Sequence, residues 1–482
     1  MCGILGLIHS NTSVFVYQSL VDGLTILQHR GQDSAGIATI HDNRYNVHKD
    51  KGVVSDVFNE DNIINLKGNM GIGHVRYSTL ETSNICEAQP LYTNYPYGIS
   101  LVHNGNLTNT DELMQYMIKK NRHINSRSDS ELLLNLFADE LSIHGDIDIS
   151  TKIFHAVKKI MQYCKGGFSA IFMINNIGLV AFRDPFGIRP LCLGINRSGD
   201  YIISSESIAI DAVDSGFKFV GDLLPGECFF IDMECNSASQ VVAEHTVLKP
   251  CLFEYIYFAR PDSIIDGIYV HEARKKMGEK LANSIIRKFQ TINKDIDIDV
   301  VIPVPETSRI SALEIANRLD IPYEEGFIKN RYIARTFILP GQEIRKKSLK
   351  LKLNTIPSVF KGKNVLIVDD SIVRGNTSIQ LVELAKHAGA NKIYFCSAAP
   401  PVRYPNVYGI NIPTTQELVA YNRSNDEIAE ILGADMIFYN SLEDVIDCCI
   451  NNSSDCYPKE FETSCFNGEY ITGNISSSYF HS

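Results

Sequence analysis

The run Val365-Leu-Ile-Val-Asp369-Asp370-Ser371-Ile-Val-Arg374-Gly375-Asn376-Thr377-Ser378 constrains this chain more than any other segment. An apolar strand ends at two adjacent carboxylates, and a glycine-containing loop then opens a helix. In an open parallel sheet, ligands bind beyond the carboxyl ends of the strands, which is where Asp369 and Asp370 emerge. The backbone N–H groups from Arg374 to Ser378 face the helix entrance, where unpaired donors and the dipole favour a phosphate. Thr377 and Ser378 add hydroxyl donors. Carboxylates beside a phosphate cradle repel the ligand unless they hold sugar hydroxyls or a divalent cation, and an all-oxygen site suits magnesium. The segment is therefore expected to take a phosphorylated sugar with a metal. A plain strand-to-helix turn with an N-cap explains a lone pair of aspartates, but not the Arg-Gly-Asn-Thr-Ser that follows. No G-x-x-x-x-G-K-[ST] occurs, and no G-x-G-x-x-G opens a helix here, which disfavours a kinase or a dinucleotide enzyme.

Around this segment strand and helix alternate. Ala273, Met277, Leu281, Ile285 and Phe289 recur every four residues, as on one face of an amphipathic helix. A strand follows at Ile296 to Pro303, a helix at Ser311 to Leu319, the strand at Val365 to Val368, a helix at Ile379 to His387 and a strand at Lys392 to Ser397. This order favours a parallel sheet with crossover helices. The first half has another rhythm, with strand-like runs at Ile4 to Ile8, Gly71 to Val75, Ile99 to Val102, Ala170 to Ile174, Gly178 to Phe182 and Tyr201 to Ile203. Helices are expected near Val16 to Leu27, Thr110 to Ile118 and Ser128 to Leu141. A polar stretch from about Asp232 to Pro250 separates the halves. The expected division is a domain over 2–240, a second over 251–470 and a tail over 471–482.

The chain has 482 residues, too many for one average domain, and a net charge of -11. Global attraction to nucleic acid or to an anionic membrane is thus disfavoured, and any anionic ligand must meet a local basic site. One exists between Lys329 and Lys352, where Lys329, Arg331, Arg335, Arg345, Lys346, Lys347, Lys350 and Lys352 face the single acid Glu343. With Pro340 and Gly341 inside it, this segment reads as a basic lid over a multiply charged phosphate ester. No apolar run reaches membrane-spanning length and no basic region precedes a hydrophobic start, so a cytoplasmic protein is expected. The 12 cysteines are scattered, which fits reduced thiols.

Cys2 differs from the others by position. Once Met1 is removed, its thiol and α-amino group share one carbon skeleton, and the amine, with an ordinary pKa of about 7.7–8.0, can act as base for the thiol. An isolated Met-Cys is mostly chance. Four ordered phrases raise its weight: Gln28-His-Arg-Gly-Gln-Asp-Ser-Ala-Gly36, Gly73-His-Val-Arg76-Tyr-Ser-Thr79, His103-Asn104-Gly105-Asn106-Leu-Thr-Asn109 and Ser128-Asp129-Ser130-Glu131. Thiolate attack on a carboxamide needs oxyanion donors, which the Asn104 side chain and the Gly105 N–H can provide. A free amino-acid amide needs an Arg for its carboxylate and an acid for its ammonium; Arg76 and Asp129 fill those roles.

These phrases resemble the class II (Ntn-type) glutamine amidotransferases, and the Val365 to Ser378 segment resembles the phosphoribosyl pyrophosphate signature of type I phosphoribosyltransferases. Both in this order, with Phe253-Glu-Tyr-Ile-Tyr-Phe-Ala-Arg-Pro-Asp262 at the junction and Pro303-Val-Pro-Glu-Thr307 between, resemble the glutamine phosphoribosylpyrophosphate amidotransferases. The resemblance implies an α/β chain, with an N-terminal Ntn-hydrolase αββα sandwich followed by a phosphoribosyltransferase domain with a mainly parallel sheet. It implies formation of 5-phosphoribosylamine, glutamate and pyrophosphate, with Cys2 carrying a glutamyl thioester and ammonia passing inside the protein. It further implies magnesium, one ion per subunit, at Thr307, Asp369 and Asp370. The 5-phosphate falls to Arg374, Gly375, Asn376, Thr377 and Ser378, and pyrophosphate to Lys329 and Arg335. Purine nucleotides as feedback inhibitors and a homotetramer are further family expectations.

Two departures matter. Some members carry a cleaved propeptide and an iron–sulfur cluster on four cysteines. Here Cys2 follows Met1 directly, so no propeptide is expected. Cys251 and Cys465 fall near cluster positions, but Asn406 and Glu462 stand where two thiolates would be, so no cluster is expected. Two other readings compete: a sensor that binds phosphoribosyl pyrophosphate without synthesis, and an amidotransferase with another acceptor. The complete Cys2, Arg76, Asn104 and Asp129 set disfavours the first, and the Asp369 to Ser378 loop the second.

Overall fold

Along the strand Gly3–Ile8, successive side chains enter different cores: Ile4 and Ile8 pack in one buried cluster, Leu5 and Leu7 in another. A strand buried on both faces belongs to a middle layer. The computed structural model, which describes residues 2–77, 85–143, 147–213, 216–330, 353–412, 414–450, 458–475 and 479–480, shows two such layers in the first half. One sheet has seven antiparallel strands in the order Lys218–Asp222, Cys192–Ile195, Tyr201–Ser204, Gly3–Ile8, Met70–Arg76, Ser34–His41 and Arg44–Lys51. The other has six, in the order Ser237–Val241, Glu227–Asp232, Gly178–Arg183, Gly166–Ile174, Ile99–Leu107 and Leu91–Thr93. Ile4, Ile72 and Met70 of the first sheet meet Val102, Ile171 and Leu179 of the second. The helix Tyr17–Ile26 covers the outside of the seven-stranded sheet, and Thr110–Lys119, Asp129–Ser142 and Ile149–Tyr163 cover the other. This is the expected αββα sandwich.

In the second half, Val300–Pro303, Asn364–Asp369, Lys392–Ser397 and Met436–Tyr439 form a parallel sheet in that order. Met277, Leu281, Ile285 and Phe289 are all buried along the helix Val270–Thr291, which packs with Arg309–Leu319 on one face. Asn376–His387 and Asn425–Leu432 cover the other.

Local structure departs from expectation in two places. The polar stretch expected to separate the halves contains the strand Ser237–Val241, all five residues exposed, at the edge of the six-stranded sheet. Backbone pairing rather than burial makes it a strand, so its sequence lacks the alternation that reveals one. Lys329 ends a short strand, Phe327–Lys329, paired antiparallel with Leu353–Thr355, rather than lying in a loop. Arg335 and the rest of the basic segment through Lys352 lie outside the described residues.

Between the halves, Ile188 shares a core with Leu252, Phe253, Tyr408 and Cys465. Arg183 makes a buried two-pronged pair with Asp266, at 2.6 and 2.8 Å. The Asn106 amide donates to the carbonyl of Val407 at 2.9 Å, and Asn474 donates to Thr108 at 2.9 Å. Among the described residues, no helix is long and apolar enough to cross a membrane.

Candidate functional site

Cys2 precedes the central strand of the seven-stranded sheet, which places it at one end of the sandwich. Its backbone N–H donates to Asn104 Oδ1, on the opposing sheet, at 3.0 Å. With Oδ1 so engaged, the Nδ2 donor of Asn104 is buried and has no partner among the described residues. Gly105 follows at φ +145°, and a Cβ there would collide with the carbonyl oxygen of Gly167 across the paired strand, so only glycine fits. Gly409 of the second half packs directly on this turn: a Cβ on it would come within 2.9 Å of the Gly105 carbonyl carbon.

Arg76 ends the strand paired to Gly3–Ile8, and its Nη2 donates to Glu87 at 2.6 Å. Asp129 begins the helix Asp129–Ser142, and its Oδ2 accepts the N–H of Leu107 at 3.0 Å. Asp129 is thereby tied to the strand carrying Asn104 and Gly105. His103 lies on the same strand, 3.9 Å from Asp129, with Nδ1 against Ser130 Oγ at 2.9 Å. Burial pulls the His103 imidazole below its ordinary pKa, partly opposed by Asp129; burial and then the Arg76 charge hold His74 well below its own. Burial thus favours the neutral form of both rings.

Sequence reasoning passed over Glu87, although Ile85-Cys-Glu87 lies only nine residues beyond Arg76 in the chain's own order of phrases. It also passed over the charged cluster behind Cys2. Arg30, inside one of the quoted phrases, donates from Nε to the Cys2 carbonyl at 3.1 Å and pairs with Glu206 and Glu254.

The second constellation sits at the end of the strand Asn364–Asp369. Asp369 and Asp370 are 8% and 7% exposed, nearly enclosed. Asp369 Oδ1 accepts the N–H of Asp370 at 2.9 Å, Ser371 Oγ donates to Asp370 Oδ1 at 2.7 Å, and Thr307 Oγ1 donates to Asp370 Oδ2. Burial, then the Asp370 charge, pushes the Asp369 carboxyl well above the carboxylate range. Gly375, at φ +78°, turns the chain into the helix Asn376–His387. Asn376 and Thr377 are exposed at the helix entrance, and Ser378 is buried. Arg374 donates from Nε to Glu417 at 2.9 Å. Thr307, Asp369 and Asp370 offer only oxygen donors, which fits a hard divalent cation completed by ligand and water oxygens. Among the described residues, no group of three or more His, Cys, Asp and Glu is arranged to hold a metal by itself.

At the two positions departing from the cluster-bearing pattern, Asn406 Oδ1 accepts the N–H groups of Tyr408 at 2.9 Å and Ile410 at 3.1 Å, and the Glu462 carboxylate accepts the Ser464 N–H at 2.7 Å. Burial pushes the Glu462 carboxyl up, and its Oε2 has no partner among the described residues. An acid whose folded pKa exceeds its unfolded value of about 4.3 contributes stability at low pH that is lost as pH rises through the folded value. Glu462→Gln should therefore raise Tm at pH 8 more than at pH 5, by roughly 2–4 °C for each kcal/mol relieved. A Tm difference independent of pH would mean that this carboxyl does not titrate above its unfolded value.

A glutamine amidotransferase domain model matches residues 74–212, and a phosphoribosyl transferase domain model matches residues 266–406. The amidophosphoribosyltransferase of Escherichia coli is 50% identical over 99% of this chain and 94% of its own length. That of Saccharomyces cerevisiae is 49% identical over 98% and 93%. The solved glutamine phosphoribosylpyrophosphate amidotransferase of B. subtilis, complexed with ADP and GMP, superposes with a TM-score of 0.85 at 34% identity, covering 99% of this chain and 98% of that one. With both domain models in order and relatives at half identity along the whole length, the chain belongs to the amidophosphoribosyltransferase family.

Proposed function

We propose that the chain hydrolyses glutamine at Cys2 and passes the ammonia to phosphoribosyl pyrophosphate, giving 5-phosphoribosylamine, glutamate and pyrophosphate in the first committed step of purine synthesis. The observation that carries this reading is Asn104: its Oδ1 holds the Cys2 nitrogen while its buried Nδ2 is left without a partner among the described residues. A buried unsatisfied donor costs about 1–3 kcal/mol, a cost recovered when an oxyanion develops against it.

In the first half-reaction, the α-amine of Cys2 takes the thiol proton and the thiolate attacks the glutamine carboxamide carbon. Asn104 Nδ2 and the Gly105 N–H hold the oxyanion, and the protonated amine returns its proton to the leaving ammonia. Water then hydrolyses the glutamyl thioester. Arg76 takes the glutamine carboxylate, in place of Glu87, and Asp129 its ammonium. In the second, the bond from the ribose anomeric carbon to pyrophosphate breaks as ammonia attacks and loses a proton. Arg374 to Ser378 hold the 5-phosphate, and Lys329 and Arg335 the pyrophosphate. Asp369, Asp370 and Thr307 would hold magnesium, one ion per subunit, which supplies charge neutralisation to the diphosphate when bound. The shared core of Ile188, Leu252 and Tyr408 at the junction joins the two halves, which passage of ammonia between them requires.

We further assign the domains to 2–240 and 251–470, with a tail over 471–482, and place the protein in the cytoplasm as a homotetramer without an iron–sulfur cluster. Purine nucleotides are its feedback inhibitors, in line with the ADP and GMP of the B. subtilis complex. The test is pyrophosphate release with glutamine, phosphoribosyl pyrophosphate and magnesium. Release is expected to need all three, and a chain that releases none with either glutamine or ammonia is a sensor.

A further inference from the structure

The junction phrase Phe253 to Asp262 has no part in either half-reaction, yet it reaches the nucleophile. Cys2 is pinned at both ends of its backbone. Its nitrogen rests on Asn104, and its carbonyl accepts from Arg30 Nε at 3.1 Å. Arg30 is completely enclosed, so its remaining donors need protein partners. Nη1 goes to Glu206, and Nη2 to Glu254 at 2.8 Å.

The two acids differ in how they are held. Glu206 also accepts from His29 Nε2 and Ser263 Oγ, both at 2.7 Å, and from the Arg260 N–H at 3.0 Å. Glu254 has the Arg30 and Arg189 guanidiniums, the latter at 3.4 Å, on Oε1 alone. Two guanidiniums and two carboxylates make the cluster electroneutral. Although burial opposes the charged form, Glu254 and Glu206 raise the Arg30 guanidinium above its ordinary pKa.

Glu254 opens the π-helical turn Glu254–Phe258. Arg274, on the helix Val270–Thr291 of the second half, clamps that turn by donating to the carbonyls of Tyr255 at 2.9 Å and Ala259 at 2.7 Å. The orientation of Arg30 is thus set in part by a residue anchored to the second half.

We propose that Glu254 is a positioning residue for Cys2, acting through Arg30, so that glutamine hydrolysis depends on a side chain supplied by the junction segment. The proposal rests on the glutaminase reading of Cys2. Loss of the Glu254 charge frees Arg30 to turn toward Glu206 and releases the Cys2 carbonyl, which misplaces the thiol without touching the glutamine contacts at Arg76 and Asp129.

The full-length chain is compared with Glu254→Gln, Glu254→Asp and the electroneutral pair Glu254→Gln with Arg189→Gln. Both nitrogen sources are assayed. For Glu254→Gln, kcat with glutamine is expected to fall about tenfold or more while KM for glutamine stays within about twofold. The rate with ammonia should be retained, and Glu254→Asp should restore part of the loss. The electroneutral pair, which leaves no uncompensated buried cation, should show the same selective loss. Parallel loss of both rates, an unchanged glutamine kcat, or full recovery in the electroneutral pair would overturn the proposal. A wild-type chain that uses ammonia but not glutamine would instead overturn the glutaminase reading, and this proposal with it.

Discussion

Cys2→Ser is expected to abolish the use of glutamine, by at least about a thousandfold, and to leave synthesis from ammonia partly intact. The substitution changes one atom and little volume. Cys2 is half-buried at the end of the sandwich, and its backbone contacts to Asn104 and Arg30 do not involve the sulfur. The sulfur itself lies 4.0 Å from the Tyr77 carbonyl, a bond that a hydroxyl can also donate, so the fold has little reason to respond. The chemistry does, because an alkoxide must form from a hydroxyl far less acidic than a thiol, whose ordinary pKa of about 8.5 lies close to that of the α-amine that deprotonates it. The retained ammonia rate follows from the proposed separation of the two sites: phosphoribosyl pyrophosphate is assigned to Asp369 and Asp370 at the end of a strand of the second half's parallel sheet, whereas Cys2 belongs to the sandwich of the first half. The measurement is pyrophosphate release with each nitrogen source in turn. Loss of both would mean that the two sites are one, or that the variant has not folded.

What was legible in the sequence was whatever local pattern decides. Met277, Leu281, Ile285 and Phe289 announce a buried helix face, because burial of one stripe forces four-residue recurrence. Asp369 and Asp370 are legible for the same reason, since the apolar strand before them and the glycine after them define a strand end and a helix start within fourteen residues. The edge strand Ser237–Val241 was not legible, because nothing on it is buried. Nor was the cluster around Arg30. Its partners lie 176 and 224 residues along the chain, and no periodicity records a pairing at that separation. The hold of Glu87 on Arg76 is closer, at 11 residues, but Asp129 already fills the role of the acid that acts with Arg76, and Glu87 lies outside the four phrases. In each case a phrase could be recognised before the reason for its residues could be seen.

Asp369→Asn combined with Asp370→Asn is expected to do the reverse of Cys2→Ser. Pyrophosphate release should fall by at least about a hundredfold with either glutamine or ammonia, while labelling of Cys2 by a thiol-reactive glutamine analogue is spared. The two carboxylates are nearly enclosed and adjacent, and burial together with the Asp370 charge already forces the Asp369 carboxyl well above its ordinary range. Two like charges held so close oppose folding. Asparagine has nearly the same shape and removes the repulsion: at 369 its oxygen can still accept the N–H of residue 370, and at 370 its oxygen can accept from one of Thr307 and Ser371 while its amide N–H donates to the hydroxyl oxygen of the other. Tm should therefore hold or rise as activity disappears. A stabilised but inactive variant separates a carboxylate kept for ligand and cation from one kept for structure, because a structural pair would lose Tm when neutralised. If the double variant instead loses Tm and labelling together with pyrophosphate release, the aspartates are structural and the strand end is not the sugar-phosphate site. If it keeps pyrophosphate release, the charge that stabilises the departing group comes from elsewhere in the chain.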